Sequence, residues 1–131
     1  MKVTKTDIQI RFADVDILGH VNNVNLQHYF DVGKSDFFAE ILDAGDYWKG
    51  EGIITAATSN SYIAQTRPHE KVYVETRMEK IGNKSFTLAQ RIVAHGSGEV
   101  KAESRSVMVA FDFDRQESIP VPDAWRMAVE E

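Results

Sequence analysis

The chain has 131 residues, of which 43% are apolar and 27% are charged, and 15 basic against 20 acidic side chains give a net charge of −5. This composition is typical of one folded domain over residues 1–131, and the absence of cysteine excludes disulfides, thiolate nucleophiles and cysteine-ligated metals. The negative charge argues against nucleic acid as a partner, no apolar run is long enough to span a membrane, and no secretory signal follows the N-terminal lysines, so we expect a cytoplasmic protein.

The first predicted element is a strand over residues 6–12. Ile8, Ile10 and Phe12 alternate with polar residues there, which predicts one apolar face. If the strand continues, Asp14 and Asp16 project to the same side, where two carboxylates would repel each other and one would take up a proton more readily.

The second predicted element is a helix over residues 25–44, roughly 30 Å long. Its apolar positions recur at steps of three and four, which is typical of a buried helix face. Glycine costs about 1 kcal/mol in a helix interior, so Gly33 within this stripe indicates a close backbone approach. The sequence Ala44-Gly45-Asp46 is the predicted stop. The stripe consists of Leu26, Phe30, Gly33, Phe37 and Ile41.

Four strands are predicted after the helix, over residues 53–65, 72–79, 86–94 and 99–113. Val72, Val74 and Thr76 begin one alternating face, and Gln90 belongs to another. Glycine-containing turns at residues 81–85 and 95–98 join them as hairpins, so we expect an antiparallel meander. Pro120 and Pro122 are expected to end regular structure. One sheet then buries its apolar face against the single helix, and its free edges favour association with a second copy.

Residues 11–24, between the first strand and the helix, carry the polar residues best suited to chemistry. Asp14, Asp16, His20, Asn22 and Asn23 fall within ten positions. On residue types alone, turns and helix capping explain such a cluster. Its position favours chemistry, because free N–H groups and the dipole at a helix N-terminus stabilise negative charge. A carboxylate beside that terminus can attack a carbonyl or activate water while the N–H groups receive the oxyanion, which is acyl-transfer chemistry.

With Arg11-Phe12-Ala13-Asp14-Val15-Asp16 and Gly19-His20-Val21-Asn22-Asn23, the chain resembles the hotdog-fold acyl-CoA thioesterases of the 4-hydroxybenzoyl-CoA thioesterase family. Arg67-Pro68 and the hairpin at residues 81–86 support the resemblance, which spans residues 6–122. It implies an α+β hotdog fold, in which an antiparallel five-stranded sheet wraps around one long central helix. It also implies a homodimer or homotetramer with active sites between subunits.

The resemblance places Asp16 on the catalytic aspartate of the family, as nucleophile or as general base toward water. His20 matches a histidine of related plant acyl-carrier-protein thioesterases, although Leu18 stands where those enzymes carry asparagine. Asn23 stands where the thioesterases of the Tol-Pal envelope system carry histidine. Asp16 and His20 are therefore the predicted catalytic residues, and Asn23 is a predicted substrate contact.

Four further residues are predicted to bind substrate. Ser59 and Asn60 lie on a strand expected beside the helix N-terminus, where a backbone N–H would complete the oxyanion hole. Arg67 and Lys84 belong to a stretch, residues 67–105, with eight basic and five acidic residues, and are candidates for the phosphates of coenzyme A. The histidines lack metal-ligand spacing, so neither a metal nor a cofactor is predicted.

The predicted function is hydrolysis of an acyl-CoA ester to a carboxylic acid and free coenzyme A. Acyl carrier protein is an alternative carrier, and a non-catalytic acyl-CoA-binding module is an alternative of another class. A hotdog dehydratase would need an acid and a base on the helix, and His28 and Asp31 flank the apolar stripe there without facing a predicted pocket. Chain length of the acyl group is not encoded in any motif.

Overall fold

The computed structural model describes residues 2–43 and 49–130 and has an α+β architecture. Six antiparallel strands form one sheet in the order β1-β3-β4-β5-β2, with the short β6 paired to β5. Helix α1 packs mainly on β1, β3 and β4. The elements are β1 (Val3–Ile8), a 3₁₀ turn (Phe12–Asp14), α1 (Asn23–Glu40), β2 (Glu51–Tyr62), β3 (Val72–Ile81), β4 (Ser85–Ala94), β5 (Val100–Asp112), β6 (Glu117–Ser118) and α2 (Asp123–Glu130).

Helix α1 is shorter than the sequence predicts. It has 18 residues and ends at Glu40, so it is about 27 Å long. The backbone N–H groups of Ile41 and Leu42 both bond to the Phe37 carbonyl, and Asp43 has a φ of 51°, a left-handed conformation in which the helix cannot continue. The expected stop at 44–46 lies outside the described residues.

The predicted first strand is wrong in its boundaries, whereas Ile8 and Ile10 of its predicted apolar face do pack against the core, partly buried. Strand β1 ends at Ile8, and its buried side chains are Thr4 and Thr6. The chain then turns through the 3₁₀ segment, because the Asp14 side chain accepts hydrogen bonds from the backbone N–H and guanidinium of Arg11. As a result Phe12 is 99% exposed and does not belong to a strand face.

The C-terminal segment differs from the expectation that prolines end regular structure. Pro120 and Pro122 precede a second helix, α2, which is compatible with the tolerance of proline just before or within the first helical turn. This helix buries Trp125 and Val129 against the core, and the Trp125 ring packs edge-on against Phe86. The sheet therefore carries two helices rather than one. Among the described residues, none of the helices combines the length and apolarity needed to cross a lipid bilayer.

The predicted hairpins are confirmed, with β3 and β4 joined across residues 82–84 and β4 and β5 across 95–99. Their buried faces follow the predicted alternation. The buried residues on β3 and β4 include Val72, Val74, Thr76, Met78, Phe86, Leu88, Gln90, Ile92 and Ala94.

A row of polar side chains crosses the sheet between two hydrophobic clusters. One cluster surrounds Phe37 and the other surrounds Phe30. The polar row lies in direct register across five strands and consists of Thr4, Thr76, Gln90, Ser104 and Asn60. Gly33 of α1 sits against this row, and a Cβ placed there would lie 2.6 Å from Val74 Cγ1 and 2.9 Å from Thr76 Oγ1. The predicted close approach is confirmed.

Candidate active site

The loop between the 3₁₀ turn and α1 is a tight hairpin that holds Asp16. Val15 and Val21 pair across it as an isolated β-bridge. The Asp16 N–H donates to the His20 carbonyl at 3.1 Å, and the Gly19 N–H donates to the Asp16 carbonyl at 3.0 Å. Gly19 has a φ of 82°, a conformation that glycine adopts without strain. The backbone at Asp16 is thus fixed from both directions.

The Asp16 side chain is half-buried and opens into a cleft. Its Oδ1 accepts a hydrogen bond from the Leu18 N–H at 2.9 Å, and its Oδ2 accepts one from Asn22 Nδ2 at 3.2 Å. These two bonds orient the carboxylate and leave lone pairs available. The cleft has a volume of about 570 Å³ and is lined by Ile10, Arg11, Phe12, Val15, Asp16, Pro68 and His69.

Asn22 links this carboxylate to the start of α1. Its Oδ1 accepts a hydrogen bond from the Val24 N–H at 2.8 Å, so it is the N-cap of the helix. The first helical bond runs from the Leu26 N–H to the Asn22 carbonyl. The N–H groups of Asn23 and Asn25 have no hydrogen-bond partner within the part of the chain that the structure describes. Free donors and the positive end of the helix dipole therefore lie next to Asp16.

Asp14 has a different environment, so the expectation that two acidic side chains share one side is wrong. Its carboxylate is 1% exposed and accepts hydrogen bonds from Arg11 at 2.9 Å and from Tyr29 Oη at 2.6 Å. Burial alone would raise the pKa of Asp14, but the bonds from Tyr29 and Arg11 outweigh it and hold that pKa below its ordinary value. Burial and the Asp14 carboxylate raise the pKa of Tyr29. Asp14 is a structural anchor.

His20 and Asn23 line a second cleft of about 570 Å³, which shares no lining residue with the cleft of Asp16. Within the described residues, no hydrogen bond joins the His20 ring to the Asp16 carboxylate. His20 instead contributes its backbone carbonyl, which holds the Asp16 N–H. Tyr62 of β2 forms part of the same cleft. The structure thus brings Asn23 and His20 together in one cleft, whereas Asp16 lines the other.

Asn60 lies beside α1, whereas Ser59 is exposed on the edge strand β2. Asn60 Nδ2 donates to Gln27 Oε1 at 2.5 Å and lies 3.4 Å from Tyr62 Oη. Gln27 is one turn beyond Asn23 on the helix. Asn60 therefore lies beside the first turns of α1, and its role as a substrate contact stays a prediction.

Arg67 and Lys84 lie at opposite ends of β3. The exposed Arg67 follows Thr66, whose carbonyl accepts a hydrogen bond from the Val21 N–H at 2.8 Å, so it stands close to the Asp16 hairpin. Lys84 is in the turn after β3, a strand of 10 residues that spans about 33 Å. Within one chain, Lys84 is therefore far from Asp16.

Three residues of α1 near the site were missed as candidates from the sequence: Gln27, Asp31 and Lys34. Gln27 Nε2 donates to Asp31 Oδ1 at 3.1 Å, and Lys34 Nζ lies 3.6 Å from the same oxygen. Burial lowers the pKa of Lys34, and Asp31 opposes that shift. The signal was their spacing, because polar residues at 27, 31 and 34 share one side of a helix.

The sequence also matches a known protein family. Residues 10–129 match the family model of the thioesterase-like superfamily. The chain belongs to this superfamily. The predicted family of thioester-hydrolysing enzymes is thereby confirmed.

Individual proteins are similar to this chain over different lengths. The uncharacterized protein YsmA of Bacillus subtilis (strain 168) is 26% identical over 81 residues, which are 62% of this chain, and this match spans only 54% of the length of YsmA. A structure described as a predicted thioesterase from Bacillus stearothermophilus is 29% identical with a TM-score of 0.88, covering 98% of this chain and 95% of the other. A mutant 4-hydroxybenzoyl-CoA thioesterase complexed with 4-hydroxybenzoyl-CoA superposes with a TM-score of 0.86 at 16% identity, covering 98% and 99%. The last similarity concerns the fold alone.

Proposed function

We propose that this thioesterase-superfamily chain is a hydrolase of acyl-CoA esters. We further propose that residues 1–131 form one hotdog-fold domain, in which the sheet curves around α1. The observation that carries the proposal is the Asp16 carboxylate held beside the free N–H groups of Asn23 and Asn25. An anion that can attack and donors that can receive an oxyanion are the two requirements of acyl transfer.

In the proposed reaction, the thioester carbonyl oxygen lies at the helix N-terminus. Either Asp16 attacks the carbonyl carbon, or it accepts a proton from a water molecule that attacks. The tetrahedral oxyanion is held by the N–H groups, the carbon–sulfur bond breaks, and the thiolate of coenzyme A leaves. In the first route a water molecule then hydrolyses the resulting mixed anhydride, which releases the carboxylic acid and regenerates Asp16. His20, in the neighbouring cleft, is proposed to assist proton transfer.

The proposed carrier is coenzyme A. A structural relative binds 4-hydroxybenzoyl-CoA, and Arg67 is an exposed cation at the Asp16 end of the sheet. A guanidinium suits phosphate recognition because it donates two parallel hydrogen bonds. For Lys84 to reach the same ligand it would have to come from another copy of the chain.

Association of copies is the second part of the proposal. Strand β2 is an edge of the sheet, and residues 54–59 along it are exposed. Near the site, Phe12 and Ile17 are 99% and 100% exposed, although apolar side chains of this size are normally covered. We propose that a second copy pairs along β2 and covers these side chains, giving a homodimer or a homotetramer. Light scattering on the purified chain tests this, and a monomer at micromolar concentration would contradict it.

The hydrolase proposal is tested with a panel of acyl-CoA esters of increasing chain length, assayed for release of free thiol. Micromolar KM values with at least one ester are expected. The same acyl groups on acyl carrier protein form the second arm, and faster release from that carrier would favour the alternative substrate. Tight binding of every ester without thiol release would indicate a binding module instead.

A further inference from the structure

A chain of polar side chains runs along the side of α1 that contacts β2. Asp31 Oδ1 accepts a hydrogen bond from Gln27 Nε2 at 3.1 Å, and Gln27 Oε1 accepts one from Asn60 Nδ2 at 2.5 Å. Lys34 is only 5% exposed, and its Nζ lies 3.6 Å from the same Asp31 oxygen. We call these four residues the helix-face network.

The carboxylate of Asp31 determines which group donates in each hydrogen bond of this network. A carboxylate only accepts hydrogen bonds, so Gln27 must present its NH₂ group to Asp31 and its carbonyl oxygen to Asn60. Asn60 must then present its own NH₂ group to Gln27. The Asn60 Oδ1 atom therefore takes no part in the network.

A second polar side chain, that of Ser104, lies across the sheet from Asn60. Ser104 lies directly opposite Asn60 in the β2–β5 pairing, next to Asn60 at the β2 end of the polar row. Asn60 Oδ1 and Ser104 Oγ are both buried, and neither has a hydrogen-bond partner among the described residues. Polar atoms buried in a protein normally have partners. An amide oxygen accepts only, whereas a serine hydroxyl also donates, so the pair offers one acceptor and one donor.

A hydroxyl group on a ligand would satisfy both Asn60 Oδ1 and Ser104 Oγ, because it donates one hydrogen bond and accepts another. We propose that Asn60 and Ser104 bind a hydroxyl group on the acyl chain, so that hydroxyacyl esters are the preferred substrates. This inference rests on the proposed hydrolase function. It adds the chemical class of the acyl group, which the proposed reaction leaves open.

The position of the pair fits this role. Asn60 contacts Gln27, which lies one helical turn, about 6 Å, beyond Asn23 and the proposed oxyanion donors. Tyr62, which lines the cleft of His20 and Asn23, is 3.4 Å from Asn60 Nδ2. In the proposal the acyl chain lies in that cleft, and a hydroxyl several bonds from the thioester carbonyl is directed past Tyr62 toward the pair. An unsubstituted alkyl chain there would leave both polar atoms without partners.

The test compares three esters with equal carbon number: hexanoyl-CoA, 3-hydroxyhexanoyl-CoA and 6-hydroxyhexanoyl-CoA. At least one hydroxylated ester is expected to have a kcat/KM about tenfold above that of hexanoyl-CoA, as for one well-placed hydrogen bond. Asn60→Ala is expected to bring this ratio close to one. Asp31→Asn is expected to lower it, because an amide at position 31 no longer dictates the orientation of Gln27.

The matched control is Asn83→Ala. Asn83 is an exposed asparagine in the β3–β4 turn, at the end of the sheet remote from Asp16, and its backbone carbonyl accepts from the Val121 N–H at 2.8 Å. This variant should keep the wild-type ratio. If Asn60→Ala fails to fold, Ser104→Ala tests the same pair from β5.

Two results would overturn the inference: hexanoyl-CoA hydrolysed at least as efficiently as both hydroxylated esters, or a hydroxyl preference that survives loss of the Asn60 side chain. Failure of the hydrolase proposal looks different, because no ester would release thiol. In that case calorimetric Kd values for the same three esters decide the inference, with tighter binding of a hydroxylated ester in wild type and not in Asn60→Ala as the supporting result.

Discussion

Asn22 Nδ2 donates a hydrogen bond to Asp16 Oδ2 at 3.2 Å, while the other side-chain atom of the same amide, Oδ1, caps helix α1. One residue therefore aligns the candidate carboxylate with the helix N-terminus. The Asp16 carboxylate and the donors at Asn23 and Asn25 are held in a fixed relation because both are tied to Asn22.

Replacing Asn22 separates these two roles. Asn22→Ser keeps a good N-cap and loses the amide donor to Asp16, whereas Asn22→Ala loses both. We expect about tenfold lower kcat in both variants with little change in KM, because Asn22 positions Asp16 and does not bind substrate. Only Asn22→Ala should lose about 1 kcal/mol of unfolding free energy. Denaturant titrations and steady-state kinetics measure both effects, and equal kcat in Asn22→Ser and wild type would remove the positioning role.

Asp14 predicts a pH dependence of stability. Hydrogen bonds from Tyr29 and Arg11 lower its pKa in the folded state. The stability that the carboxylate contributes is therefore present above the unfolded value of about 4 and is lost as pH falls through the lower folded pKa.

The corresponding variant is Asp14→Asn, which places an amide against the Arg11 guanidinium and the Tyr29 hydroxyl. We expect a loss of about 1–3 kcal/mol at pH 7, since a buried hydrogen-bonded charge is removed. The difference from wild type should shrink below pH 4. Urea titrations between pH 3 and pH 7 measure it, and a constant difference over that range would be inconsistent with a lowered pKa.

Gly33→Ala tests the close contact between α1 and the sheet. In a free helix this substitution stabilises by about 1 kcal/mol. Here the new Cβ would meet Val74 Cγ1 at 2.6 Å and Gln90 Nε2 at 3.0 Å, and Gln90 is held in place by its bond to the Phe30 carbonyl. We expect a net destabilisation of about 1–3 kcal/mol. Ser35→Ala, at an exposed position of the same helix, controls for helix propensity outside this contact. A stabilised Gly33→Ala would show that the helix shifts freely.

The strands and their buried faces could be predicted from the sequence because period-two alternation depends only on neighbouring positions. That is why Thr76 and Gln90 were assigned correctly to the inner face. The first strand was misplaced because its inner residues, Thr4 and Thr6, are polar, while the apolar Phe12 is exposed. Helix α2 was missed because its prolines stand before the helix, where they are compatible with it.

The candidate site, too, was only partly predictable from the sequence. The hairpin with Asp16, His20 and Asn23 is contiguous in sequence, so its motif could be read directly. The contact between Gln27 and Asn60 joins residues 33 positions apart, and the pairing of Asn60 with Ser104 depends on strand register. Neither follows from a local pattern. The distinction between Asp14 and Asp16 required knowing that Tyr29 reaches Asp14.

The most direct test of the catalytic role is the rate of thiol release by Asp16→Asn, measured on the best acyl-CoA ester of the panel. We predict a kcat at least 10²–10³-fold below wild type, the range typical for losing one key group of an acyl-transfer site, with the unfolding free energy changed by less than about 1 kcal/mol. His20→Ala should cost less. A folded Asp16→Asn protein that turns over at close to the wild-type rate would contradict the assignment of Asp16.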